Sequence, residues 1–456
     1  MTGYWLATSG DDLTRRAPLD GRHRADVVVV GGGFSGLWTA WYLLERDPSL
    51  DVLVVEAETV GFGASGRNGA WLSPVLGVSP GELARRTSPG IAAATIRAMR
   101  GTVDEVARVC LEADIDAQVR RGGILRIARG PHERPALESG LQAMRDLGVD
   151  DGLALLDGDE TRRRVAVAGA VGATHDPYGA VVHPGRLVRG LARRLETRGA
   201  TIVEGTRVTE VREGPPHPSV VTDRGEVTAD AVVLATEAWL PQLPGHQRDV
   251  MPLYSLIVLT EPIDDARWQR IGWQGHECLS SHRYTVDYLS RTVDGRVLFG
   301  GRGAPYHYGS SVASEYDRHE PTHALLRRQL VDWFPDLEGV TIAHEWGGPL
   351  AMPRDWMPSF RFDRRTGVGV ACGYTGQGVA TTNLAGRVLA DLVVTETTEF
   401  AELPMVGHRS RRWEPEPLRW IAARYLQSAL ARIDAKAART GRAPTGNTLA
   451  ERLIRH

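Results

Sequence analysis

Short, uninterrupted apolar runs joined to helical periodicity mark both ends of this chain, and a β-rich stretch fills its middle. Residues 27–30 are four valines, followed by Gly31-x-Gly33-x-x-Gly36 and then by Leu37, Ala40, Leu43 and Leu44. That order predicts a buried strand, a glycine turn and a helix. A second apolar run, DVLVVE, ends at Glu56. Residues 81–160 change character, with helical stretches and one strand-like run, GGILRIA. From Pro184 an amphipathic helix precedes two strand-like segments, TIVEGTRVTEVRE and ADAVVLATEAW. Residues 251–303 read as strands with a hairpin turning at Asp294-Gly295. A helix over 322–335 leads into WGGPLAMPRDWMPS, whose prolines and glycines predict irregular backbone. The segment GVGVACGYTGQGVATTNLAGRVLADLVV then repeats the order strand, glycine turn, helix.

The division this predicts is an α/β domain assembled from residues 24–80, 184–250 and 345–400. A second domain, 81–183 and 251–344, is inserted into it, and 401–456 forms a helical tail. Within the tail, Leu418, Ile421, Ala422, Tyr425, Leu426, Leu430 and Ile433 recur at helical spacing. They predict a helix wrapping the surface, with a partner interface as the alternative.

The first strand–turn–helix carries a chemical meaning. Gly31 suits the tight turn, Gly33 admits a pyrophosphate to the backbone, and Gly36 permits close packing of helix on strand. Phosphates are favoured at the positive end of such a helix. Glu56, twenty positions after Gly36, is placed to accept hydrogen bonds from ribose hydroxyls. Strand, glycines, helix and acid in register indicate an adenine dinucleotide.

Bulk properties narrow the class. The 456 residues suffice for about three domains. A net charge of −2 offers no electrostatic case for nucleic acid or an anionic membrane. Lys436 is the only lysine, so 53 of the 54 basic residues are arginine and no catalytic lysine is available in the body of the chain. The distant cysteines Cys110, Cys278 and Cys372 suit a reducing compartment and give no zinc spacing. No segment has signal-peptide or membrane-spanning character, so a soluble, cytoplasmic protein is expected.

NAD and FAD both suit Glu56. The segment GFGASGRNGA separates them, because Gly63, Ala64, Ser65, Gly66 and Gly69 let backbone lie against a flat ring, while Arg67 and Asn68 offer donors. With the pieces ADVVVVGGGFSGLWTAWYL, VVEAETVGFGASGRNGAWLS, HPGRLVRGLA, ADAVVLATEAW, DGRVLFGGRG and GYTGQGVATTNLAGRVLADL, the chain resembles the D-amino-acid oxidase superfamily of FAD-dependent oxidoreductases over about residues 24–395. Its ASGRNG and GYTGQG segments are most similar to the γ-glutamylputrescine oxidase branch. The resemblance implies a Rossmann-like FAD-binding domain, built from three chain segments, plus an antiparallel-sheet α+β substrate domain, with the flavin ring between them. It implies that Gly31, Gly33, Ser35 and Gly36 hold the pyrophosphate and Glu56 the ribose, with Phe34 and Ala57 also cofactor-binding. Gly63, Ser65, Gly66, Arg67, Asn68 and Gly69 run along the phosphates towards the ring. Val208 lies beside the adenine. Thr236 belongs to a loop in which Glu237 replaces a commoner glycine, putting that contact in question. Thr375, Gly376, Gln377, Gly378 and Val379 face the pyrimidine end.

The resemblance also implies the reaction: hydride leaves the α C–H of a neutral amine, and water hydrolyses the imine. No metal and no dedicated acid or base is expected. Amino-acid-oxidising relatives carry an arginine, in a segment like W-x-G-x-R-P-x-x-x-D, that grips the substrate carboxylate as a fork. Here Trp346, Gly348 and Asp355 match but Leu350 stands in the arginine's place. That favours a small-molecule amine without an α-carboxylate, oxidised with transfer of electrons to O2 or another acceptor. Arg302 is an alternative anion site, or else a structural residue. His282, Arg302 and His307 are candidates for the positive charge that a lysine supplies near the flavin in sarcosine-oxidase-like relatives. Trp71, Tyr254, Tyr284, Tyr288, Trp356 and Tyr374 are candidate ring neighbours, with ordinary packing as the alternative; Arg302, Leu350, Tyr288, Trp71 and Tyr374 are the substrate-site candidates. His183 reads as structural. Two competing readings stay open: an amino-acid oxidase or dehydrogenase with another carboxylate anchor, and a non-catalytic flavin-binding protein.

Overall fold

In the computed structural model, residues 3–454 are described apart from Ala304, Glu396 and the side chain of Arg302. The four valines lie in the strand Gly21–Val30, at the centre of a sheet ordered Ser359–Asp363, Val368–Cys372, Gly225–Leu234, Gly21–Val30, Val52–Val55, Thr201–Val203. The last five are parallel, and Ser359–Asp363 is an antiparallel edge. Val27 and Val29 enter one apolar core, with Leu37 and Leu384, while Val28 and Val30 enter another, with Val232 and Val370. Burial on both faces is what a run without polar alternation requires. The helices Phe34–Arg46 and Gly378–Val394 pack together over the first face.

A second sheet has eight strands, ordered Ile342–Pro353, Val250–Thr260, Val297–Arg302, Asp287–Arg291, Cys278–Ser280, Ile124–Ala128, Gly172–Asp176, Ala154–Asp157. Every pairing is antiparallel except Cys278–Ser280 with Ile124–Ala128. The hairpin turns at Gly295, with φ +77°. Together the two sheets give the α/β nucleotide unit and the sheet-based substrate unit expected of the fold.

Three expectations are corrected. The segment WGGPLAMPRDWMPS is not irregular throughout, because Ile342–Pro353 is a twelve-residue strand paired along Val250–Thr260. It is an edge strand, where the missing N–H of Pro349 breaks no second ladder. That strand also moves the start of the 345–400 segment out of the nucleotide domain. Conversely, the helix Pro89–Glu112, expected in the substrate domain, packs Met99, Val103 and Val106 into the core that holds Trp38 and Leu384. Hydrogen bonds from Tyr42 to Glu105 (2.8 Å) and from Arg387 to Thr102 (2.7 Å) fix it there.

The tail contains the expected helix, Leu418–Thr440, with its apolar stripe turned only partly inward, where Leu426, Leu430 and Ile433 are half-buried. Leu418, Ile421 and Tyr425 are exposed, whereas Arg419, Ala423, Asp434 and Ala437 are buried. Polar anchors decide the orientation. Asp434 accepts from the amides of Tyr284 and Thr285, and Arg419 donates to Glu416 and to the Gln247 carbonyl.

Candidate active site

Between the sheets lies a cavity of about 540 Å³. Gly31, at φ +114°, turns the chain from the central strand into the first helix. A Cβ at Gly36 would lie 1.9 Å from the Gly31 carbonyl oxygen, so helix and turn can meet only at glycine. Gly33 and Gln377, the N-caps of Phe34–Arg46 and Gly378–Val394, make no side-chain capping bond of their own, and the Ser65 hydroxyl accepts from the Phe34 amide at 2.8 Å. Both helix N-termini therefore bring main-chain amides and positive dipole ends to one cavity. The Ser35 and Tyr374 hydroxyls share a 2.8 Å hydrogen bond that ties the two turns together. Gly31, Gly33, Phe34 and Ser35 line one side, and Thr375, Gly376, Gln377, Gly378 and Val379 the other.

Glu56 and Ala57 line the cavity beyond the end of Val52–Val55. The Glu56 carboxylate accepts from the amides of Gly32 (2.7 Å) and Glu58 (2.8 Å), and burial pushes its pKa up. Gly63, Ser65, Arg67, Asn68, Gly69, Val208 and Thr236 are also on the wall. Gly36 and Gly66 are not: they serve close packing, a Cβ at Gly66 falling 2.3 Å from the Gly61 carbonyl. Asn68 is turned on its own loop, donating to Ala64 and Ser65 carbonyls and accepting from Ala70. Arg67 donates to the Phe62 carbonyl and pairs with Asp317.

Glu237 has a definite role. At φ +47°, its carboxylate accepts from the amides of Ala351 (3.2 Å), Gly373 (2.9 Å) and Tyr374 (3.3 Å), and burial raises its pKa to about 7. It bridges both sheets and the turn before Thr375. In the sequence Glu237 stands out only as a departure from glycine, with no local signal for this bridge.

The opposite wall is made of side chains. The Tyr288 ring lies against Gly300 and Gly69, where a Cβ would fall 2.1 Å and 2.4 Å from ring atoms. Its hydroxyl meets Ser255 Oγ at 3.0 Å. Trp71 stands edge-on to it, 6.4 Å between centroids, with its indole donating to the Leu289 carbonyl. Gly348, Pro349 and Leu350 continue this wall along the edge strand. Arg302 ends its strand opposite Ser255, and its side chain lies outside the described residues.

The other candidates separate. Tyr374 lines the cavity, but its hydroxyl is engaged by Ser35. Tyr254, Tyr284 and Trp356 are not on the wall. His183 caps the helix Pro184–Thr197, accepting from the Arg186 amide. His282 is on the wall, with its pKa lowered to about 4 by burial and then by Arg126. His307 stacks on Tyr316 and its pKa is also lowered by burial. Neither imidazole supplies positive charge at neutral pH. The cavity's further cations are Arg126, Arg207 and Arg283, of which Arg207 is paired with Glu58; none of the three is among the residues expected at the site. An arginine alternating with Leu125 and Ile127 in an apolar run was the available signal.

The parallel sheet, two helix N-termini on one cavity, Glu56 and the glycine-rich 61–69 segment fit a dinucleotide flavin, and define a flavoprotein oxidoreductase. The family described as DAO, FAD dependent oxidoreductase, matches residues 26–392. The chain belongs to that family and is an FAD-dependent oxidoreductase acting on CH–NH or CH–NH2 groups. It is 32% identical to the γ-glutamylputrescine oxidoreductase of Escherichia coli (strain K12), over 90% of this chain and 93% of that protein. It is 30% identical to the probable oxidoreductase OrdL of Rhizobium meliloti (strain 1021), over 84% and 86% respectively. The fold is similar to L-proline dehydrogenase from P. horikoshii, with TM-score 0.69, 21% identity, and 83% and 95% of the two chains covered. Among the described residues no His, Cys, Asp and Glu cluster could hold a metal ion, and no helix is long and apolar enough to cross a membrane.

Proposed function

We propose that the enzyme oxidises an amine whose reacting carbon bears no carboxylate. The observation that carries this reading is the edge strand: Gly348, Pro349 and Leu350 present no cation to the cavity, and Arg67 beside them is paired with Asp317. An α-carboxylate placed against Leu350 would lose water without gaining a guanidinium fork. The similarity to γ-glutamylputrescine oxidoreductase supports an amine substrate.

FAD, when bound, supplies the two-electron acceptor for C–N oxidation. The amides at the two helix N-termini would hold its phosphates and the pyrimidine edge of its ring. Trp71 and Tyr288 close the side where substrate lies, orienting an amine and excluding water. The final acceptor is O2 or another oxidant. Three free, buried cysteines support a cytoplasmic location.

The test is anaerobic bleaching of the holoenzyme by butylamine against norvaline, which differ by one α-carboxylate. Butylamine should act faster, and Leu350→Arg should shift the ratio towards norvaline by on the order of tenfold. Faster bleaching by norvaline in the wild type, lost in Arg302→Ala, would establish an amino-acid oxidase anchored elsewhere.

A further inference from the structure

The second sheet carries a row of residues across its cavity face. Ile257 pairs with Gly300 and Gly300 with Tyr288. The antiparallel pairing of Leu279 with Leu289 puts Ser280 opposite Tyr288, and Ser280 pairs with Arg126. Arg126 is therefore two strands from Tyr288, on the order of 10 Å at ordinary strand spacing. Tyr288, Ser280 and Arg126 all line the cavity.

Arg126 is an unusual tenant of that wall. Its neighbours Leu125 and Ile127 point into the apolar core behind the sheet, which leaves Arg126 on the cavity side. No hydrogen bond or ion pair holds its guanidinium among the described residues. Asp176, on the next strand, faces it from beyond ion-pair distance and accepts from the Tyr178 amide. Asp287 is engaged by the amide and hydroxyl of Ser281. His282 beside Arg126 is neutral, and Arg283 adds a second guanidinium to the same end of the cavity. Burying a guanidinium without a partner is costly unless an anion arrives to meet it.

We propose that Arg126, with Arg283 in support, binds a carboxylate at the far end of the substrate. The ligand class is then an ω-amino carboxylate, oxidised at its amine end and held by a fork about two strands away. This rests on the amine reading for the oxidised end, but the anion site itself does not depend on turnover.

Two measurements on holoenzyme separate these claims. In the first, hexanoate, which has no amine, is titrated against the flavin absorbance of wild type, Arg126→Met and Arg126→Gln. A saturable perturbation in the wild type, weakened at least tenfold in a variant that retains flavin, supports the site. No perturbation, or one equal in all three proteins, overturns it. In the second, anaerobic reduction by 6-aminohexanoate is compared with hexylamine. Arg126→Met should slow the first at least tenfold and leave the second within about twofold. Equal losses on both amines would make Arg126 a structural residue and overturn the proposal. Hexanoate binding lost in the variants, together with failure of every amine to bleach the flavin, would leave the anion site standing and remove the amine reading.

Discussion

The cavity has two walls made of different material. On the nucleotide side the working groups are main-chain amides at two helix N-termini, and the side chains there serve to position backbone. On the substrate side the groups are Tyr288, Trp71, Ser255 and Arg126, all projecting from the faces of strands. A wall of amides is specified by what is missing, a Cβ at Gly31 or Gly36. A wall of side chains is specified by register, since a one-residue slip would turn each of them to the opposite face. The first should fail abruptly on substitution, the second by degrees.

The largest effect expected is therefore at Gly36. A valine there would press on the Gly31 carbonyl, already only 1.9 Å from a Cβ position, and force the helix away from the turn. Gly36→Val should yield protein with no retained flavin, read by absorbance after gel filtration. A folded variant with full flavin content would show that the turn is more plastic than its packing implies.

Glu237 joins the two walls, and its effect should be intermediate. In Glu237→Gln an amide NH2 would face one of the three N–H donors, at a cost of about 1–3 kcal/mol. Flavin affinity should fall on the order of tenfold by the same disruption. The pH dependence has a definite sign. Burial raises the folded-state pKa from 4.5 to about 7, so between those values the folded chain holds a proton that the unfolded chain has released. Its contribution to stability is full below 4.5 and declines as pH rises through 7. The difference in Tm between wild type and Glu237→Gln should shift across that window; a constant difference from pH 4.5 to 7.5 would show that Glu237 does not titrate there.

The contrast between the walls also explains what could be read from sequence. Gly31, Gly33, Glu56 and the 375–379 turn are legible because each works within a few residues of chain. Arg126 was not, because its neighbour Ser280 is over 150 residues away and only the pairing of their strands brings them together. The edge strand Ile342–Pro353 was hidden by its own glycines and proline, which an edge tolerates. The tail helix turns only part of its apolar stripe inward, and the side that docks also carries Arg419 and Asp434, whose partners lie at Glu416 and in the 284–285 loop. Hydrophobic periodicity cannot register a face selected by ion pairs and amide contacts.

Gradual failure on the substrate side can be checked at Gly300. Gly300→Ala would place a methyl where the Tyr288 ring now lies, 2.1 Å from its nearest atom. Overpacking of this kind costs about 1–3 kcal/mol. Flavin should be retained while amine-dependent bleaching slows on the order of tenfold, since the ring is displaced into the cavity. Loss of flavin in this variant would mean the two walls are not separable.

Ser255→Ala should have the smallest effect. Its hydroxyl lies 3.0 Å from the Tyr288 hydroxyl and 3.1 Å from the Gly301 carbonyl. Removing it takes away one neutral hydrogen bond to Tyr288, worth about 1 kcal/mol, and leaves the ring held by its packing on Gly69 and Gly300. The rate of bleaching should fall about fivefold or less, with unchanged flavin content and a Tm within a few degrees of wild type. Tyr288→Phe removes the same bond from the other side, so the double variant should be little worse than Tyr288→Phe alone. If instead the two losses add, the hydroxyls act independently, and the substrate wall depends on polar contacts to the ligand more than on the shape set by its glycines.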